Sequence, residues 1–267
     1  FEFSNTSMDL NHKVILIVGG TSGLGESAAR KFLQYGAKVA VTGRSESKIQ
    51  SASQWLGDDG VAIQSDAADP VQVDRAFSEV RERFGDLHGL YHVAGGSGRR
   101  FGDGPMHEIT DEGWLHTLRL NLDSVFYSNR AALRVFLEQG QGGSILNCGS
   151  VLGFSPSPHF FSTHAYATSK AAMVGMVKSS AAYYAKEGIR VNLLCPGLIA
   201  TPMSERAQTN QPIMDFIRTK QPLDGGRIGV PQDLDDAAAL LLSDGARFIT
   251  GQVLSVDGGW TVSEGQS

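Results

Sequence analysis

Tyr166 and Lys170 stand four residues apart in Ala165-Tyr166-Ala167-Thr168-Ser169-Lys170, ahead of an apolar run at 171–176. On a helix this spacing sets both side chains on one face, one turn apart. A free phenol has a pKa of about 10 and is a poor acid or base near neutrality. A neighbouring cation lowers that value. A phenol so tuned can hand a proton to an alcohol oxygen or take one from it. The same spacing also describes a half-buried aromatic beside a solvated charge. The rest of the chain must therefore provide further polar groups and something for the pair to act on.

The segment Lys13-Val14-Ile15-Leu16-Ile17-Val18 is continuously apolar and β-branched, the pattern of a strand buried on both faces of a parallel sheet. Gly19-Gly20-Thr21-Ser22-Gly23-Leu24-Gly25 follows at once, then a helical pattern through Ala28, Ala29, Phe32 and Leu33. Strand, glycine turn and helix form the layout of a dinucleotide site. The glycines admit a pyrophosphate, and the helix start offers free N–H groups and a favourable dipole. The spacing is Gly-x-x-x-Gly-x-Gly, and a plain glycine turn is the alternative. A second strand at 38–42 ends in Gly43-Arg44-Ser45. The position that meets the adenosine ribose thus carries a guanidinium and no carboxylate. A guanidinium binds a 2′-phosphate through paired hydrogen bonds, which favours NADP(H) over NAD(H).

Size and composition fit this reading. The chain has 267 residues, 41% hydrophobic and 19% charged, with net charge −5 and 32 glycines. No basic stripe marks a nucleic-acid surface; Arg99-Arg100 is the nearest approach. Cys148 and Cys195 each lie in an apolar run and read as buried thiols, not as a disulfide. No apolar stretch spans a bilayer. Residues 1–9 read as an N-terminal extension with no signal-peptide pattern, Met8 is a natural start, and the cytoplasm is the expected compartment. Residues 10–267 read as one dinucleotide-binding catalytic domain.

Further along, a strand at 61–65 leads into Asp66-Ala67. Asp66 is either an acceptor for the adenine amino group or a turn residue. Asp69-Pro70 opens a helix to about residue 84, as N-cap and first-turn proline. A strand at 87–93 precedes Ala94-Gly95-Gly96, a second place where backbone can approach a ligand. A helical pattern runs over 111–139. Asn121 inside it marks a local distortion or a bound water. A strand at 144–150 delivers Ser150 at its carboxyl end, where open α/β sheets hold ligands. After a strand at 189–194 comes Cys195-Pro196-Gly197. Residues 200–223 read as a helical lid, hinged at both ends, with an ordinary surface helix pair as the alternative. A short helix and a last strand at 252–256 complete the alternation. Strand–helix alternation with right-handed crossovers gives a doubly wound, parallel, seven-stranded α/β/α sheet of Rossmann type.

These residues together resemble the short-chain dehydrogenase/reductase family, from about residue 10 to 260. The family's Thr-Gly-x-x-x-Gly-x-Gly loop is matched by Val18-Gly19, Gly23 and Gly25, with Val in place of Thr. Its Asn-Asn-Ala-Gly segment is matched by His92-Val93-Ala94-Gly95, so both asparagines are missing, which bears on local stability. Its catalytic Asn, Ser, Tyr and Lys match Asn121, Ser150, Tyr166 and Lys170, and its Pro-Gly matches Pro196-Gly197, with Thr201 following.

The resemblance implies hydride transfer between a nicotinamide and a carbonyl or secondary alcohol carbon. Tyr166 is implied as the proton donor or acceptor, Lys170 as the cation that lowers its pKa and holds the nicotinamide ribose, Ser150 as the substrate-oxygen donor and Asn121 as a water holder. Gly19, Thr21, Ser22, Gly23, Leu24 and Gly25 would surround the phosphates; Arg44, Ser45 and Lys48 would take the 2′-phosphate. Asp66, Ala67, Ala94 and Gly95 would flank the adenosine side. Pro196, Gly197 and Ile199 would fix the carboxamide, and Thr201 would reach the pyrophosphate.

By family analogy the substrate is a 3-oxoacyl thioester, with sugar, polyol or steroid alcohols behind it and NAD as the alternative cofactor. Arg99, Arg100 and His159 are candidates for greeting an acidic group. A homotetramer or homodimer is implied; the small-residue face Ala171, Ala172, Gly175, Ser179 and Ala182 is compatible with it. The rival reading on the same fold is a non-catalytic dinucleotide sensor. No Gly-Lys-Ser/Thr follows the glycine turn, which argues against an NTPase, and no His-Glu-x-x-His pair suggests zinc or another metal.

Overall fold

The computed structural model describes residues 8–265; the first seven residues of the expected N-terminal extension lie outside this range. Seven parallel strands form one sheet in the order β3-β2-β1-β4-β5-β6-β7. They are β1 Val14–Val18, β2 Lys38–Gly43, β3 Gly60–Gln64, β4 Gly89–His92, β5 Gly143–Cys148, β6 Ile189–Pro196 and β7 Val253–Val256. Helices α1 Gly23–Gln34, α2 Glu46–Leu56, α3 Pro70–Phe84, α4 Asp111–Leu118, α5 Ser124–Gln139, α6 His164–Tyr184, α7 Glu205–Gln208, α8 Gln211–Lys220 and α9 Gln232–Leu242 connect them.

Strand β1 shows why the sequence runs are continuously apolar. Val14, Leu16 and Val18 enter one core with Phe77, Phe136, Met173 and Val177. Ile15 and Ile17 enter the opposite core with Phe32, Leu56, Leu234 and Leu241. Alternate side chains point to opposite faces, and helices cover both, so no position on the strand is left for a polar residue. The expected doubly wound sheet is the observed one. Asp69 caps α3 as expected, accepting from Val71 and Gln72 N–H groups, with Pro70 in the first turn.

Strand order reverses between β1 and β4, and the connections after these two strands run in opposite directions. Such a switch point opens a crevice at the carboxyl end of the sheet. The helical stretch expected over 111–139 is not one helix. Between α4 and α5, Arg119–Asp123 adopts a π-helical turn with Asn121 at its centre. The expected distortion at this asparagine is thus observed, and π-turns recur at functional positions.

Candidate active site

At the crevice, the glycine loop and the β4 connection touch. A Cβ on Gly19 would come within 2.7 Å of the Ala94 nitrogen, and one on Gly25 within 2.2 Å of the Gly19 carbonyl oxygen. Only bare backbone fits there. Gly23 has φ +57° and faces Thr201 across an ordinary contact distance of 3.6 Å. Ser22 precedes α1 without a side-chain cap bond, so the first-turn N–H groups have no partner from that hydroxyl. A pyrophosphate fits this cradle: two glycines with no room for side chains, helix N–H groups, and the Thr201 side chain opposite.

At the end of β2, Thr21 folds over Gly43, where a Cβ would lie 2.5 Å from the Thr21 hydroxyl. Arg44 and Ser45 are exposed beside it. Lys48 reaches back from α2 to donate to the Ser22 hydroxyl at 3.4 Å. A cation therefore stands beside Ser22, contributed by the next helix. Asp66 serves its turn: its Oδ1 accepts from the Ala68 N–H at 2.9 Å, while Gln72 accepts its own N–H.

The polar groups at the carboxyl end of β5 and on α6 converge by close packing. Ser150 leads into a tight turn in which Gly153 presses on α6; a Cβ there would sit 2.9 Å from the Lys170 carbonyl carbon. The Ser150 hydroxyl accepts from the Leu152 N–H at 3.2 Å and lies near enough to the Tyr166 phenol to act on its pKa. Lys170 is buried, donates to the Cys148 carbonyl oxygen at 2.7 Å and holds its Nζ 5.6 Å from the centroid of the Tyr166 ring. Among the described residues the other two of its three N–H donors have no hydrogen-bond partner and are available to a ligand. A Cβ on Gly95 would be 2.8 Å from Asn121 Oδ1 and 3.9 Å from Lys170 Nζ, which ties the π-turn to the same place. Asn121 accepts from the Gly96 N–H and donates to the Gly96 and Thr117 carbonyls.

One expectation is corrected. The Tyr166 phenol is not lowered toward neutrality by Lys170. Burial holds it above its ordinary value, the nearby Cys148 adds to this, and the Ser150 hydroxyl pulls it back. Helical spacing gives proximity, whereas desolvation by surrounding protein decides the direction. Burial likewise lowers the Lys170 pKa, against the neighbouring thiols that raise it. The thiols themselves are buried and free, and burial pushes Cys195 up to about 12.

His92, in the place of the family's first asparagine, is a satisfied core residue. Its Nδ1 lies 2.7 Å from the Ser128 hydroxyl and its Nε2 3.0 Å from the Ala94 carbonyl. With Nε2–H donating to the carbonyl, Nδ1 accepts from serine. Burial, and then the Lys170 charge, lower its pKa to about 3.

Three residues of the site were not singled out by sequence. Asp103 is buried and accepts at the start of α6 from the Ala165 and Tyr166 N–H groups. Gln221, also buried, grips both the N–H and the carbonyl of Leu198, between Gly197 and Ile199. Arg206 joins Arg99 at the Phe160 carbonyl. Arg100 and His159 do not join them: Arg100 stacks on Phe101, and His159 lies against the Phe160 ring. A cavity of about 710 Å³ lined by Lys13, His88, Gly143, Arg190 and Phe248 holds none of the expected residues. It opens near the amino ends of the strands, away from Tyr166.

The family profile described as enoyl-(acyl carrier protein) reductase matches residues 18–261. The chain belongs to the short-chain dehydrogenase/reductase family. It is 35% identical over 256 residues to the NADP-dependent (R)-specific alcohol dehydrogenase of Lentilactobacillus kefiri, covering 94% of this chain and 98% of that protein. It is 34% identical over 251 residues to the 3-oxoacyl-acyl-carrier-protein reductase FabG of Haemophilus influenzae, covering 94% of this chain and 99% of that one. A solved short-chain dehydrogenase/reductase from Mycobacterium ulcerans superposes with a TM-score of 0.86 at 29% identity, over 96% of this chain and 92% of its own. The protein is an NAD(P)-dependent oxidoreductase that moves a hydride between a nicotinamide and a carbonyl or secondary alcohol. Among the described residues, no helix is long and apolar enough to cross a membrane.

Proposed function

We propose that the protein is an NADP(H)-preferring carbonyl reductase whose proton chemistry is carried by Tyr166, with Ser150, Lys170 and Asn121 in support. The observation that carries the reading is the meeting of the Ser150 hydroxyl, from the end of β5, with the Tyr166 phenol and the Lys170 ammonium, both from α6, beside a glycine-lined crevice.

The bound nicotinamide supplies the hydride in reduction and accepts it in oxidation. Tyr166 protonates the developing alkoxide in reduction, and its phenolate takes the alcohol proton in the reverse direction. Burial keeps the phenol protonated, which suits the reductive role. Ser150 donates to the substrate oxygen and holds it where charge grows. Lys170, fixed by the Cys148 carbonyl, offers its remaining donors to the nicotinamide ribose. Asn121 fixes Gly96 and opens the helix locally to hold a water next to Lys170. Gly19, Thr21, Ser22, Gly23, Leu24, Gly25 and Thr201 take the pyrophosphate, and Pro196, Gly197 and Ile199 the carboxamide. Asp66, Ala67, Ala94 and Gly95 flank the adenosine.

The NADP preference rests on the absence of a carboxylate at the end of β2, on the exposed Arg44 and Ser45 there, and on Lys48 beside Ser22. Residues 200–223, with α7 and α8, act as the lid over the substrate. The exposed small-residue face of α6, from Ala171 to Ala182, is the surface for a homo-oligomer. The cytoplasm is its proposed compartment. The substrate is a carbonyl compound, with 3-oxoacyl thioesters the first to try. The test is a panel of ketones and alcohols assayed with both nicotinamide cofactors. Turnover with NADPH exceeding that with NADH supports the reading; no turnover of any carbonyl or alcohol with either cofactor refutes it.

A further inference from the structure

Three connections meet at one backbone oxygen. Arg99, after β4, donates to the Phe160 carbonyl from Nη2 at 3.2 Å. Arg206, on α7 after β6, donates to the same oxygen from its own Nη2 at 3.4 Å. Phe160 belongs to the connection after β5, between Ser150 and Tyr166, and its ring packs on Phe216 of α8 at 5.2 Å between centroids. These connections are the ones that carry Gly95, Ser150 with Tyr166, and Thr201. The bridge therefore joins the segments that surround the proposed reaction centre.

One carbonyl does not balance two guanidiniums. Among the described residues neither arginine forms an ion pair. Asp103 is the carboxylate whose charge acts on Arg99, but both its oxygens are taken by the Ala165 and Tyr166 N–H groups. Burial of Arg99 lowers its pKa, and the facing Arg206 lowers it further. Two like charges that converge on one oxygen, with the one nearby carboxylate already bonded elsewhere, would be favoured by an anion coming between them. Each guanidinium has several N–H donors beyond the one used here. Beside them the Phe160 ring packs on Phe216, so the carbonyl they share is set against an apolar surface.

We propose that Arg99 and Arg206 form an anion subsite, so that the substrate is a carbonyl compound bearing a carboxylate or phosphate on a partly apolar body. This inference rests on the reductase reading and names the substrate class of that same site. A second consequence is that anion binding links the β4 connection to the lid, since one arginine comes from each.

The test uses full-length protein loaded with NADP⁺. Oxo-carboxylates with the ketone two to five carbons from the carboxylate are compared with their methyl esters, and the matching oxo-alkyl phosphates form a second arm. Binding is measured by calorimetry and turnover with NADPH. The proposal expects the charged member of at least one pair to bind tenfold or more tighter than its ester. Arg206→Gln should cut that preference about tenfold, and the double variant with Arg99→Gln about thirtyfold or more. Arg206→Lys should retain most of it. Arg206 is exposed, so its variants keep the test independent of the folding of Arg99→Gln. The stronger arm, carboxylate or phosphate, identifies the anion. An ester bound as well as its acid in every pair, or a preference unmoved by Arg206→Gln, overturns the proposal. A charge preference without NADPH oxidation would instead preserve the subsite and remove the reductase reading.

Discussion

Asp103 closes the amino end of the helix that carries Tyr166. Its Oδ2 accepts from the Tyr166 N–H at 2.9 Å and its Oδ1 from the Ala165 N–H at 3.0 Å, 63 and 62 residues away in sequence. The His164 N–H donates to the neighbouring Gly104 carbonyl at 3.3 Å. The helix start, which has no side-chain cap of its own from Thr163, is thus capped by the β4 connection. A carboxylate there also complements the helix dipole. The phenol is thereby referenced to the β4 loop and the crevice, as well as to its own helix.

Asp103→Asn should show this directly. The amide keeps one acceptor and turns an NH₂ toward the other backbone N–H. Losing a charge-assisted buried bond costs about 2 kcal/mol, which for a chain of this size lowers Tm by about 4–8 °C. If the cap positions the phenol, kcat falls about tenfold while KM for NADPH changes little. Thermal melts and steady-state kinetics on one preparation check both. A stability loss with unchanged kcat would make the cap purely structural.

His92 makes the fold sensitive to acid. Its ordinary pKa of 6.5 drops to about 3 in the fold. A depressed folded value means that the contribution is whole above about pH 6.5 and is lost as pH falls toward 3, because the unfolded chain takes up the proton first. Between about pH 6.5 and pH 5 the loss is on the order of 2 kcal/mol. His92→Asn, which restores the family's residue, should flatten this acid limb. Urea unfolding at neutral pH and at about pH 5 makes the comparison; an equal acid loss in both proteins would exclude His92 as its source.

The proposed NADP preference assigns the 2′-phosphate to two cations. Arg44→Ala and Lys48→Ala should each raise KM for NADPH by about tenfold and leave KM for NADH within about twofold. The double variant should bring the two cofactors close to parity. Equal losses for NADPH and NADH would show that neither side chain reads the phosphate.

Burial of the phenol also has a kinetic signature. A Tyr166 that stays protonated past neutrality keeps reductive kcat/KM flat from about pH 6 to about pH 9, while oxidation rises with pH as the phenolate forms. Paired pH profiles with one ketone and its alcohol test the sign. Reduction that rises with pH would contradict it.

Much of the architecture was readable from local pattern, for identifiable reasons. A strand such as β1, covered on both faces, must be apolar throughout, and the glycine turn after it must pass bare backbone past Ala94. Asn121 in an apolar helix signalled a distortion because its amide competes for backbone groups, and a π-turn is the form it takes. Asp103, Gln221 and Arg206 gave no such signal. Each acts on backbone groups brought near only by the folded connections, and an Asp between glycines reads as a turn. The pKa direction at Tyr166 was unreadable for a similar reason: spacing along a helix reports the nearby cation but not the depth of the cleft.

The most direct measurement is on Tyr166→Phe, which removes one oxygen and leaves the ring in place. NADPH affinity, followed by fluorescence titration, should stay within about twofold of the parent, while kcat for ketone reduction falls roughly a thousandfold or more. A phenylalanine variant that turns over at near the parent rate would contradict the assignment of the proton to this phenol.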